Sequence, residues 1–113
     1  MVDIAIHRIA YHYLQRLAGL GIPIDRGVIF GSHARGTATA WSDIDLLVVS
    51  PRFDSPRTRE DLNMLWRIAA RDDPRIEPIP CGSKEWETSR ESAIIEIARR
   101  EGEVVAPPAD SVE

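Results

Sequence analysis

Two aspartates stand two residues apart at the head of an apolar run, in Ser42-Asp43-Ile44-Asp45-Leu46-Leu47-Val48-Val49. On an extended strand, residues two apart point to the same face, so this spacing sets two carboxylates side by side. Aspartate is depleted from strands, and two like charges on one partly buried face repel. A bound cation relieves that repulsion. Hard oxygen ligands with few protein partners suit Mg²⁺, which draws its remaining ligands from water and substrate phosphates. Asp43 and Asp45 are therefore candidate metal ligands. An isolated Asp-x-Asp has a plainer use too, with Asp43 capping a turn and Asp45 a solvated strand end.

Two further pieces could complete a site. Gly27-Val28-Ile29-Phe30 reads as a buried strand ending at Gly31, and Ser32 to Arg35 has helical character closed by Gly36. A helix start after a strand presents unpaired N–H groups and the positive end of the helix dipole, which favour a phosphate. Gly31 lets the backbone approach closely, and the Ser32 hydroxyl can bond a phosphate oxygen; the same Gly-Ser can also be no more than a turn. Glu77 lies on an expected third strand, where its carboxylate could face the same cleft, hold a second metal ion or take a proton from an attacking hydroxyl. Alone, it is an ordinary edge-strand acid.

The order of these pieces is more specific than any one of them. Gly31-Ser32, ten residues, then Asp43-x-Asp45 resembles the signature of the polymerase-beta-like nucleotidyltransferase superfamily. The fuller strings Gly-Ser-His-Ala-Arg-Gly (31–36) and Ser-Asp-Ile-Asp-Leu (42–46) look like its minimal nucleotidyltransferase branch, and the resemblance covers nearly the whole chain. It implies a polymerase-beta-like fold, a small mixed β-sheet of three to four strands flanked by helices, in the α/β (α+β) class. It implies catalytic Asp43, Asp45 and Glu77 as ligands of two Mg²⁺ ions, and Gly31, Ser32 and Arg35 at the phosphates of ATP. Arg35 then either touches phosphate or fixes the loop through a salt bridge. The implied activity is transfer of AMP from ATP to a tyrosine of a HEPN-type toxin encoded nearby, which makes the chain an antitoxin. The rival readings are transfer to a small molecule such as an aminoglycoside, and a toxin-binding module without catalysis. This chain departs from the family at two places: the third carboxylate is usually aspartate, and a smaller or polar residue is commoner at the position of Trp41. The tryptophan is expected to pack on the loop or line the nucleotide pocket.

The elements that must position these residues can be read from pattern. Ile6, Ile9, Ala10, Tyr13, Leu14 and Leu17 recur at helical spacing over 3–19, with Gly19 and Gly21 as stop signals; His7 and His12 on or near this helix are assigned no role. Ile44 to Val49 is a strand. Asp54-Ser55-Pro56 offers a cap and an opening proline for a helix with Leu62, Leu65, Trp66 and Ala69 inward, broken at Asp72-Asp73-Pro74. Arg75 to Ile79 is the third strand; Pro78 confines it to a short, edge or bulged position. Ser83 to Glu87 makes a helical turn. Ser89 caps a helix to Arg100 with Ile94, Ile97 and Ala98 inward, and Val104-Val105 adds a last strand. Residues 1–106 form one domain and 107–113 a flexible tail.

Composition bounds the partners. The 113 residues fit one domain and carry a formal net charge of −4, the wrong sign for tight non-specific nucleic-acid binding, so no nucleic-acid partner is expected. Lys84 is the only lysine and the other basic residues are arginines, suited to bidentate phosphate contacts. The single cysteine, Cys81, rules out an intrachain disulfide and a multi-cysteine metal site. No apolar run approaches the ~20 residues a membrane span needs. A cytoplasmic location with no membrane partner is the expectation.

Overall fold

In a computed structural model describing residues 2–54 and 56–108, strands β1 (Arg26–Phe30) and β2 (Ile44–Ser50) form an antiparallel pair. Strand β3 (Ile76–Gly82) runs parallel to β2, and β4 (Glu103–Val105) runs antiparallel to β1, giving the order β3-β2-β1-β4. This is the small mixed sheet flanked by helices that the family resemblance implies. Pro78 lies on an edge strand, as its missing N–H requires.

Alternation along β2 sends side chains to two faces. Ile44, Leu46 and Val48 join Ile29 and Ile76 beneath helices α1 (Ile4–Gly19) and α3 (Arg59–Asp72). Leu47 and Val49 join Val28, Phe30 and Cys81 in a thinner layer with Ile95 and Ala98 of α5 (Ala93–Glu101) and the flanking Trp86 of α4 (Ser83–Thr88). Tyr13 is fully buried between α1 and α3, and its hydroxyl donates to the Leu65 carbonyl at 2.8 Å. The short helix between β1 and β2, α2 (Ser32–Arg35), closes at Gly36 in the left-handed region, φ 79°.

Several expectations are corrected. Helix α3 opens at Arg59, its first turn capped by the Thr58 hydroxyl accepting from Asp61 N–H, whereas a 3-10 turn occupies Pro51–Phe53 and Pro56 precedes the helix. Ser55, part of the expected cap, lies outside the described residues; Asp54 instead accepts from Lys84 N–H at 3.0 Å. The inward stripe of α3 is Asp61, Leu65, Ile68 and Ala69, while Leu62 and Trp66 face solvent. Helix α5 is capped by Ser92 rather than Ser89 and buries Ile95 and Ala98, leaving Ile94 exposed. Ser89 ends α4, and its carbonyl accepts from Arg99 at 2.7 Å. Of the expected tail, residues 109–113 lie outside the described residues.

Candidate active site

The site sits at the end of β1 and β2 where the chain turns through α2. Register does the positioning: Phe30 pairs with Asp45 across the antiparallel ladder, and Asp45 pairs with Glu77 across the parallel one. Residues 32 apart in sequence thus become neighbours because α3 crosses over between β2 and β3. Asp43, two residues before Asp45, approaches from the loop.

The electrostatics of the three carboxylates follow from this crowding. Burial, then the charge of Asp43, raises the Asp45 carboxyl above the ordinary carboxylate range. Glu77 is pushed up to about 7, first by a hydrogen bond to Asp43, then by burial and the charges of Asp43 and Asp45. Crowding of like charges thus disfavours the ionised form of both groups. Among the described residues, no group of three or more His, Cys, Asp or Glu side chains is placed to hold a metal ion by itself. A divalent ion that keeps waters and takes phosphate oxygens does not need one. The donor set fits such an ion: all-oxygen, crowded, and repulsive without a cation.

Gly31 joins the two halves of the motif physically. Its backbone lies at φ 78°, ψ −150°, a region open essentially to glycine alone. A Cβ there would also overlap the Asp45 carboxylate. The glycine of the expected phosphate turn therefore stands directly against the expected metal ligand. His33 of α2 adds a second tie, its Nε2 donating to the Ser42 carbonyl at 3.4 Å beside Asp43. Ser42 also orders the loop, its hydroxyl accepting from Thr39 N–H at 2.8 Å.

Family membership rests on the sequence as well as on this geometry. Residues 13–106 match the model of the nucleotidyltransferase domain. The chain belongs to that family. No curated protein matches it. A solved structure from Sulfolobus solfataricus, described as a "putative nucleotidyltransferase", superposes with a TM-score of 0.66 at 20% identity, covering 89% of this chain and 79% of that one; at that identity the likeness speaks to the fold. The family works on nucleoside triphosphates with a divalent metal. In this nucleotidyltransferase domain, Asp45 stands against Gly31 and pairs with Glu77 across the β2–β3 ladder, with Asp43 two residues away.

Two expectations about neighbouring residues change. Arg35 makes a salt bridge, Nη1 to Glu101 Oε2 at 3.0 Å, the loop-fixing alternative of its two expected roles. Trp41 does not pack: it is 90% exposed at the loop tip. Glu101 was not found from sequence, because nothing in a helix-terminal Arg-Glu-Gly marks a partner seventy residues away. A cleft of about 400 Å³ opens nearby, between α1, the loop from Gly36 to Ala40, His33 and Arg75; the carboxylates do not line it. Among the described residues, no helix is long and apolar enough to cross a membrane.

Proposed function

We propose that the domain transfers AMP from ATP to a hydroxyl of a partner protein, a tyrosine of a HEPN-type toxin encoded nearby, and so acts as an antitoxin. The observation that carries the transfer reading is the convergence of Asp43, Asp45 and Glu77 beside Gly31, with Asp45 against the glycine itself. The acceptor oxygen attacks the α-phosphate, the new O–P bond forms in line with the breaking one, and pyrophosphate leaves. Asp43 and Asp45 would hold Mg²⁺, and Glu77 would serve a second ion or take the proton of the attacking hydroxyl. The metal supplies neutralisation of the charge that develops on the phosphates. The Ser32 hydroxyl orients the triphosphate at the turn after Gly31, and catalysis is mostly positioning and electrostatics.

The protein acceptor is supported by what surrounds the site. The described residues form one sheet with its helices and no second lobe to seat a small acceptor. Trp41, exposed beside Asp43 and held by the Thr39–Ser42 turn, offers an aromatic contact to an incoming surface.

The test is incubation with α-labelled ATP, Mg²⁺ and the purified product of the neighbouring gene. Label on a tyrosine of that protein is the expected result. A stable complex without label, unaffected by Asp43→Ala plus Asp45→Ala, overturns transfer in favour of a binding module. Label passed instead to an aminoglycoside overturns the protein acceptor.

A further inference from the structure

We propose that Glu101 is a positioning residue that fixes the Gly31-Ser32 turn in the shape that receives a nucleoside triphosphate. This deepens the nucleotidyl-transfer reading and rests on it. One carboxylate oxygen, Glu101 Oε2, accepts from Gly31 N–H at 3.2 Å and from Arg35 Nη1 at 3.0 Å. Gly31 precedes α2 and Arg35 ends it, so a single side chain from the far end of the sequence grips both ends of that helix.

The turn needs such a grip. A helix of four residues has too few internal hydrogen bonds to hold itself. A glycine at positive φ is the freest link in a chain, and here it lies next to the reacting groups. Preorganisation of phosphate donors is where such enzymes gain rate, since a turn ordered beforehand is not ordered at the substrate's expense.

Glu101 is itself well anchored. Gly102 follows it, packed so closely that a Cβ would overlap the Val28 side chain and the Ala98 carbonyl. Glu103 then pairs with Ile29 in the β1–β4 ladder. The carboxylate is therefore delivered from a point pinned to β1, the strand that leads into Gly31. Arg35 neutralises it, so an acid can stand beside a triphosphate site without repelling the ligand. The half-exposed guanidinium keeps further donors for phosphate.

The experiment measures Mg·ATP affinity by calorimetry on the full chain and its Glu101→Ala, Glu101→Asp and Glu101→Gln variants, with amide exchange at Gly31 followed by NMR. Loss of one charge-assisted grip is worth about tenfold in affinity, so Glu101→Ala binds about tenfold more weakly and exchanges Gly31 N–H faster. Glu101→Asp keeps the charge but is one methylene too short to reach both donors, and it weakens binding too. Glu101→Gln keeps the reach and an acceptor oxygen, and it recovers most of the affinity, a rescue that general destabilisation does not produce. Should Glu101→Ala not fold, the Asp variant carries the test. Wild-type affinity in the Ala or Asp variant, or a Gln variant no better than Asp, overturns the proposal while the transfer reading stands. A wild-type chain that binds no Mg·ATP overturns both.

Discussion

Two groups of acids flank the start of β3, and they are treated in opposite ways. Asp73 receives Arg75 through Nε at 3.1 Å and Nη2 at 2.9 Å, and this partner holds its carboxyl below the ordinary range. Glu77, two residues further along, is pushed up to about 7 beside Asp43 and Asp45. Asp61 and Asp72 likewise have arginines, Arg52 at 2.9 Å and Arg16 at 2.6 Å. Arg35, whose charge acts on Asp45, is bonded to Glu101 instead. Among the described residues, Asp61, Asp72 and Asp73 each have an arginine partner, and Asp43, Asp45 and Glu77 form no ion pair. That difference is the feature on which the proposed metal site rests.

The strongest way to break this comparison is to remove one acid from each group. Asp45→Asn is expected to lower labelled-AMP transfer at least a hundredfold, on the order seen when a principal electrostatic contact is lost, with a melting temperature unchanged or higher because repulsion is relieved. A large loss of thermal stability there would make Asp45 a structural acid like Asp73.

Gly31→Ala comes next. It places a side chain in a glycine-only region and into the Asp45 carboxylate, and is expected to cost about 2 kcal/mol in denaturant unfolding. In an Asp45→Ala background part of that cost should vanish; a full cost there would show that the overlap contributes nothing.

Asp61→Ala gives the contrasting structural case. Asp61 is buried at 7% exposure, but its partner Arg52 is 43% exposed at the side chain. Solvent screening limits the pair, so a loss of about 1 kcal/mol is expected, with transfer activity intact.

The smallest effect is a pH dependence read in the presence of a chelator. A group whose folded pKa is raised contributes stability below its unfolded value and loses it as pH rises through the folded one. For Glu77 that window runs from the ordinary 4.5 to about 7. Wild-type melting temperature should therefore fall relative to Glu77→Gln across this window, whereas Asp73, with a lowered pKa, loses its contribution only as pH falls below the ordinary 3.8. Parallel curves for wild type and Glu77→Gln would mean that the trio is not crowded in solution.

Much of this was legible in sequence because local chemistry fixed it. Gly31 and Gly36 bracket α2 where the glycines said, and Pro78 marks an edge strand. The faces of α3 and α5 were misread, because an apolar stripe of Leu62 and Trp66 competes with one of Leu65 and Ile68 and only packing on the sheet chooses between them. Pro56 suggested an early helix start, but the 3-10 turn at Pro51–Phe53 displaced it. The candidate Glu77 could be named, yet its place beside Asp45 depends on a parallel register that no local pattern encodes. Glu101 was invisible for the same reason, being brought to the turn by tertiary packing of α5 and β4 on β1.

The β1–β2 connection has an evolutionary corollary. Its two ends are pinned, Phe30 opposite Asp45 in the ladder and Gly31 against the Asp45 carboxylate. The stretch between Gly36 and Ser42 hangs outside that lock, with Trp41 at its tip. Such a segment can lengthen, shorten or change its tip while the reacting groups keep their places. A lineage bearing this scaffold could retarget itself by rewriting a handful of codons there, with no redesign of the chemistry beneath.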